Sequence, residues 1–408
     1  MSPEAAIVEK LVEEPTAAAP PDVSFVLPCL NEKLSLPACL EVIAQARAAL
    51  AAELGFASEI VVADNGSDDG SQAMAEAMGA RVVSVAEKGY GAALRGGFDA
   101  AKGRFLVMGD ADGSYDFREA TPMVAALAAG ADLCMGSRFK GAIKKGAMPW
   151  KNRYIGNPLL TGVLNLIFRA RVSDAHCGLR ALTADCYRRL GLTGSGMEFA
   201  SEMVIKAALL KERIVERPAT LSPDLRDRPP HLRPWRDGWR HLRYLFMLSP
   251  TWLFAAPALA IGAAGLAILA IACWKLVFAP AEPVFFGNYW VVLASAMVAA
   301  AHNAAILALA SHLYGVRAGY RRPKTWTAPL ASWISLETMI GAGLILLAAG
   351  LAVLIAVALT WRARHFGPAA SVLPAVIGTL GMLLGGQTIL GGFLLAIVSG
   401  NEARFLAR

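Results

Sequence analysis

The sequence predicts two bodies in one chain: an α/β domain on a mostly parallel sheet with flanking helices, then an α-helical membrane domain of four transmembrane helices. Three observations carry this reading. Up to about Arg243, short continuous apolar runs alternate with helix-like stretches, the pattern of strands buried on both faces. Beyond Ser249, four apolar runs are each long enough to cross a bilayer. The mean hydropathy is +0.46 and 17% of the 408 residues are charged, which is too apolar for a purely soluble protein and too long for one ordinary domain.

Residues 1–22 are acidic and rich in Ala and Pro, with neither a basic n-region nor an apolar h-region, so a disordered tail is expected rather than a secretory signal. The α/β domain is expected over 23–230, with strands at Val23–Leu27, Ile60–Ala63, Val82–Val85 and Arg104–Met108. In such a sheet ligands bind beyond the carboxyl edge of the strands. That rule selects three polar segments: Pro28-Cys29-Leu30-Asn31-Glu32, Asp64-Asn65-Gly66-Ser67-Asp68-Asp69-Gly70, and Asp110-Ala111-Asp112-Gly113. Asp110 and Asp112 offer hard oxygen ligands for a divalent cation, with room for a phosphate to complete the shell. Taken alone, such a pair is equally a solvated turn, and the second segment equally an Asx-rich turn that caps the next helix.

A linker is expected over 231–249. Trp239, Leu242 and Phe246 recur at helical spacing while Arg236, Arg240 and Arg243 take other faces, as in a helix lying in the membrane interface. Pro158–Phe168, flanked by Arg153, Arg169 and Arg171, is either a second interfacial helix or a core helix. The membrane domain is expected over 250–400, with spans at Leu253–Val277, Tyr289–Leu313, Trp333–Thr360 and Val372–Val398, and a short tail over 401–408. Each span exceeds the ~20 residues that cross a ~30 Å core, so they should tilt. Gly385-Gly386 and Gly391-Gly392 suit close packing on a neighbour, within the chain or in a second subunit, which makes a homo-oligomer an option.

The formal charge is +7, concentrated before the first span (Arg226, Arg228, Arg233, Arg236, Arg240, Arg243) and between spans two and three (Arg317, Arg321, Arg322, Lys324). The positive-inside rule puts both segments, both termini and the α/β domain on the cytoplasmic side of the inner membrane, although Arg362 and Arg364 argue the other way. Because the basic residues hug the membrane segments, they disfavour a nucleic-acid partner. Six cysteines contain no CxxC pair, which disfavours zinc and a disulfide framework and fits a reducing compartment.

The ordered set Val-Leu-Pro-x-Leu-Asn-Glu, Val-Ala-Asp-Asn-Gly-Ser-Asp-Asp-Gly, Lys-Gly-x-Gly-x-Ala-Leu-Arg-x-Gly and Asp-Ala-Asp, over Val23–Pro230, resembles the family 2 glycosyltransferases. Within them it is similar to the dolichyl-phosphate mannose and glucose synthases and related polyprenyl-phosphate enzymes. The resemblance implies a GT-A-like nucleotide-sugar-binding domain. It implies that Pro28, Asn31, Glu32 and Asp64 hold the base and ribose of a nucleoside-diphosphate sugar, with Lys88 and Ala111 beside it. It further implies that Asp110 and Asp112 share a Mg²⁺ or Mn²⁺ that stabilises the leaving diphosphate. Relatives often carry Gln shortly after this motif; here the chain reads Gly113-Ser114-Tyr115-Asp116, leaving Asp116 or water as the third ligand.

Met135-Gly136-Ser137-Arg138-Phe139 resembles the Gly-Ser-Arg loop of the same enzymes, and Asp174-Ala175-His176-Cys177-Gly178-Leu179-Arg180 their Asp-x-x-x-Gly-Phe-Arg loop with Leu for Phe. A phosphate monoester carries nearly two charges, so Ser137, Arg138, Arg153 and Arg228 are expected to cradle a polyprenyl phosphate (undecaprenyl or dolichyl). Glu198 stands just before a helix as a general base for a hydroxyl acceptor, an orienting group, or a helix cap. His302, Asn303 and Gln387, deep in spans two and four, either bond between helices or guide the isoprenoid chain. The expected reaction is inverting transfer of one hexose, from UDP-glucose or GDP-mannose, to the lipid phosphate. Transfer to a hydroxyl lipid or polysaccharide and a non-catalytic scaffold are the alternatives; the Gln-x-x-Arg-Trp motif of processive synthases is not matched by His231-Leu232-Arg233-Pro234-Trp235.

Overall fold

The chain enters its first unit through Val23–Cys29 (β1), where six of seven residues are buried. Asn31 takes a left-handed turn (φ 58°), and Leu36–Leu54 (α1) follows, opened by Pro37 in its first turn and stopped by left-handed Gly55. The alternation continues with Ser58–Asp64 (β2), Ser71–Ala77 (α2), Arg81–Ser84 (β3), Tyr90–Ala100 (α3), Phe105–Met108 (β4), Ala120–Ala128 (α4) and Leu133–Ile143 (β5). After it come Asn157–Phe168 (α5), Arg180–Thr183 (β6), Ala184–Leu190 (α6), Glu198–Leu209 (α7) and Ile214–Leu221 (β7). The computed structural model describes residues 20–226, 234–278, 287–323, 334–368 and 371–404. Most of the expected tail and residues 231–233 of the expected linker therefore lie outside the described residues.

The seven strands form one sheet in the order β3-β2-β1-β4-β6-β5-β7. All run in parallel except β6, which is antiparallel to both β4 and β5. This is the GT-A-like, mostly parallel sheet with flanking helices. The order changes direction at β1, which pairs with β2 on one side and β4 on the other, so the crevice beyond their carboxyl ends is the expected ligand position. Strands β5, β6 and β7 are not among the expected strands; β6 is the hardest to read, because Arg180 opens it and it spans only four residues.

Helix α3 owes its closeness to the sheet to small residues. A Cβ on Gly97 would collide with Val26 and stand 3.1 Å from Ala63. One on Gly91 would lie 2.7 Å from the Phe199 Cβ, and one on Gly89, whose φ is 134°, would strike the Ser195 carbonyl. The glycines of Lys88–Gly97 thus serve packing of α3 against β1, β2 and the 194–199 segment. One amide of the first turn of α3 is already used, since Ala92 N–H donates to Ser195 O at 3.1 Å.

Helix α5 presents Thr161, Leu164 and Phe168 inward and leaves Leu159 and Leu166 more than 60% exposed. Trp150, Tyr154 and Ile155, just ahead of it, are exposed too. Pro234–Met247 (α8) carries the chain from the first unit into the second, the boundary falling between His241 and Leu242.

The second unit holds four helices long and apolar enough to cross a membrane: Thr251–Phe278, whose regular part is Ala256–Phe278 (α9), Asn288–Arg317 (α10), Leu336–Ala363 (α11) and Leu373–Ser399 (α12). They coincide with the four expected spans; the start of the third, at Trp333, lies outside the described residues. A Cβ on Gly350 would stand 2.6 Å from Gly378 O and one on Gly385 2.6 Å from Gly343 O, so α11 and α12 meet backbone to backbone. Gly391 and Gly392 also pack within the chain, against Ile306 and Met339, whereas Gly386 faces open space. His302 bonds Thr388 across α10 and α12 at 3.1 Å, which meets the expectation of interhelical bonding; Asn303 is exposed and the Gln387 Oε1 has no partner.

All six cysteines are free, and five are buried. Burial pushes the Cys29 thiol up to about 11 and those of Cys39, Cys134, Cys177 and Cys186 up to about 12.

Candidate functional site

A cavity of about 770 Å³ opens beyond the carboxyl ends of β1 and β4, within the ~300–1,000 Å³ usual for small-molecule sites. Pro28, Glu32, Lys88, Asp110, Ala111, Asp112 and Arg138 line it, so most of the expected donor site is brought together.

The two aspartates differ in surroundings. The Asp110 carboxylate accepts a hydrogen bond from the Tyr90 hydroxyl at 2.9 Å. Burial, and next the charge of Asp112, push its carboxyl up to about 6. Gly178 makes room for this group, because a Cβ there would sit 2.6 Å from Asp110 Oδ2. The Tyr115 hydroxyl fixes that glycine by accepting its N–H at 2.8 Å. Here lies the physical reason for the glycine in Asp174–Arg180: the loop backs the acid.

Asp112 accepts the Ser114 N–H at 3.0 Å and pairs through Oδ2 with the Arg226 guanidinium. Arg226 also stands 3.6 Å from Glu32 and 4.0 Å from Asp224. Glu32 is buried and accepts from the Ser35 hydroxyl at 2.9 Å. Burial works against the charge of Arg226, but Asp112 and Glu32 outweigh it and hold its pKa above the ordinary value. Arg226 belonged only to the basic cluster in the sequence; nothing in its neighbourhood there ties it to an acid 114 residues away.

Asp110 and Asp112 fit a divalent cation: two carboxylates in the cavity lining, with an arginine already paired to Asp112. Among the described residues no group of three or more His, Cys, Asp or Glu is placed to complete a shell, so phosphate oxygens or water would supply the rest. Asp116 is engaged away from the acid pair. Its carboxylate caps the Phe117–Glu119 turn through Arg118 N–H and pairs with Arg118 at 2.6 Å.

Other expected site residues are hydrogen-bonded into the surrounding loops. Asp64 is buried, and its carboxylate accepts from Gly66 N–H (2.9 Å), Ser67 N–H (3.1 Å) and Gln72 Nε2 (2.6 Å). Burial raises its pKa, but these donors win and hold it below the usual range. Asn31 Oδ1 accepts the Asp68 N–H at 2.9 Å, so Asn31 and Asp64 shape the loops under the cavity and do not line it. The Lys88 ammonium donates to Asn65 O at 2.6 Å. Ser137 is buried against the Ser173 hydroxyl at 2.6 Å, behind the lining.

Arg138 faces the cavity with its charge matched by Asp174, Nε to Oδ2 at 2.7 Å and Nη2 to Oδ1 at 2.8 Å. Arg153 lies over the Tyr154 ring at 5.4 Å and is not in the lining, although Asn152 and Asn157 beside it are. Arg228 lies outside the described residues. Glu198 Oε1 accepts the Gly196 N–H at 3.0 Å at the start of α7, while its Oε2 is buried without a hydrogen-bond partner. Met197 and Ala200 line the cavity; Glu198 does not.

The cavity also takes in His176, Arg240 and His241. The two imidazoles meet edge to face, 5.2 Å between centroids, and His241 Nδ1 lies 2.8 Å from the Ser201 hydroxyl. Arg180 is consumed by the loop it closes, donating to the carbonyls of Cys177 and Ala175 at 2.8 and 2.9 Å.

Residues 24–191 match the model of glycosyl transferase family 2, and residues 309–399 that of the glycosyltransferase family 2 C-terminal transmembrane region. A low-salt glycan biosynthesis hexosyltransferase of Haloferax volcanii is 34% identical over 378 residues, 92% of this chain and 88% of the relative. The dolichyl-phosphate hexose transferase of the same organism is 30% identical, over 40% of this chain and 68% of its own length. The polyprenol monophosphomannose synthase of Mycolicibacterium smegmatis is 26% identical, over 52% of this chain and 81% of its own length. Among solved structures, the glucosyl-3-phosphoglycerate synthase of Mycobacterium tuberculosis aligns with a TM-score of 0.41 at 23% identity, covering 56% of this chain and 76% of that one.

Proposed function

The chain belongs to glycosyltransferase family 2, and on that premise we propose that it transfers a single hexose from a nucleoside-diphosphate sugar to a polyprenyl phosphate, with inversion, at the cytoplasmic face of the membrane. The observation that carries this reading is the gathering of Glu32, Asp110, Asp112, Arg138 and Arg226 around one cavity. Acids suited to a cation and cations suited to phosphates line the same space.

Asp110 and Asp112 would hold a Mg²⁺ or Mn²⁺, which would supply positive charge to stabilise the leaving diphosphate. Tyr90 keeps Asp110 aimed by the hydrogen bond it donates. Pro28, Glu32 and Ala111 supply the wall against which the nucleoside rests, above loops that Asn31 and Asp64 hold. Arg138 is the cation we assign to the acceptor phosphate, its fork fixed by Asp174.

A phosphate oxygen then attacks the anomeric carbon as the bond to the diphosphate oxygen on the opposite face breaks. An already ionised nucleophile needs no base, which suits a cavity that Glu198, tied to Gly196 N–H, does not line. The exposed apolar face of α5 lies against lipid in this reading, and the basic segments around the spans set the cytoplasmic orientation.

The test is to incubate purified protein with Mg²⁺ or Mn²⁺, undecaprenyl or dolichyl phosphate and a panel of UDP- and GDP-sugars, reading the lipid by mass spectrometry. A lipid-phosphate hexose from one donor is expected. Donor hydrolysis with no lipid product would move the acceptor to a hydroxyl compound.

A further inference from the structure

Arg226 stands where a cation is wanted. Its guanidinium pairs with Asp112 and approaches Glu32 at 3.6 Å, one acid from the end of β4 and one from the loop after β1. The side chain is 15% exposed, and its Nε is buried without a hydrogen-bond partner. The backbone carries it there: Ser222 N–H donates to Ser114 O at 2.8 Å and Leu225 N–H to Asp112 O at 2.9 Å, so residues 222–225 lie as a strap across the acid motif. Gly113 permits the crossing. Its φ is 78°, and a Cβ would stand 2.7 Å from the Leu225 side chain.

We propose that Arg226 is a built-in counter-ion for the acid pair that a divalent cation must displace, so that metal enters with the nucleotide, whose diphosphate receives the freed guanidinium. The inference rests on the metal assignment above, and adds to it an order and a partner. A strap anchored by two backbone hydrogen bonds confines the arginine near the acids in either position. A close charge pair of low exposure is worth enough to make an incoming cation compete. The ligand recognised by the displaced guanidinium is the diphosphate, through the paired N–H groups that suit phosphate oxygens.

The experiment is Mn²⁺ binding to the full-length protein in detergent, followed by electron paramagnetic resonance, without and with UDP and, in parallel, GDP. In the wild type, free Mn²⁺ should bind weakly and the effective diphosphate should tighten it. Arg226→Gln should bind free Mn²⁺ about tenfold or more tightly, the scale of a close charge pair, and gain less from the nucleotide. Arg226→Lys should stay near the wild type.

Unchanged or weaker Mn²⁺ binding in Arg226→Gln overturns the proposal. So does a wild type that binds Mn²⁺ equally tightly with and without either nucleotide, a result that stands even where the Gln variant does not fold. Because these readouts involve no sugar transfer, failure of the proposed reaction leaves them interpretable.

Discussion

Arg138 and Asp174 lock in a two-point ion pair, 2.7 Å and 2.8 Å, with the Arg138 N–H adding a third bond to the same carboxylate at 3.1 Å. Both side chains are buried, and Arg138 faces the cavity. Burial pushes the Asp174 carboxyl up, but the three bonds outweigh it and hold the group ionised below its usual range. Asp174→Ala leaves a buried arginine uncompensated and should cost about 3–5 kcal/mol, measured as a fall in the thermal midpoint. Loss of acceptor affinity should accompany it.

Asp110→Asn with Asp112→Asn should lower transfer by at least ~10²-fold, the scale of losing a preorganised charge in a site. The fold should survive, since Asp110 carries a carboxyl that burial already disfavours. Full turnover in the double variant, with a normal melting curve, would remove the metal assignment.

Acid should weaken the first unit partly through His176. Burial, then the neighbouring His241, push its pKa down to about 3. That lies below the ~6.5 of an unfolded histidine, so the contribution of the neutral ring is complete above pH ~6.5 and is lost as pH falls toward 3. The slope is at most ~1.4 kcal/mol per pH unit. Replacing His176 by Phe should flatten the stability profile between pH 6.5 and 4; an unaltered acid limb would show that this ring is not the sensor.

On α5, Leu159→Glu with Leu166→Glu changes two side chains that are 62% and 64% exposed. Stability should hardly move. If this face meets lipid, KM for a long-chain polyprenyl phosphate in bilayers should rise several-fold while KM for a short, soluble prenyl phosphate does not. Equal effects on both would assign the face to something other than lipid.

Two glycines of the membrane unit should respond oppositely to Leu. Gly350→Leu drives a side chain into Gly378 O and Met382 N, each 2.6 Å from the new Cβ, and should destabilise by about 1–3 kcal/mol or more. Gly386→Leu meets nothing within 4 Å and should be tolerated. Steric-trap or detergent-denaturation midpoints distinguish the two.

The spans and the β1–β4 half of the sheet were legible because each is a local apolar run with polar punctuation. The candidate site was legible in or just after the ends of β1 and β4: Pro28, Glu32, Asp110, Ala111 and Asp112 all line the cavity. It was less legible where the signal is nonlocal. Asp64 looks like a ligand in sequence, yet three neighbouring donors claim its oxygens. Arg226 looks like one of many membrane-proximal arginines, and only the strap after β7 brings it to Asp112. Tyr90 is an unspecified position of its motif and Gly178 a motif glycine without a stated role, until the fold sets both against Asp110.

The cysteines have a practical consequence. A thiol held at about 11 or 12 by burial presents almost no thiolate to an alkylating probe at neutral pH, and five of the six are of that kind. Cys273, partly accessible on an apolar helix, is the single native position to replace before attaching a reporter. The protein therefore offers a chemically quiet background. A fluorophore or spin label placed on the strap at Asp224 would report its movement without dismantling the core.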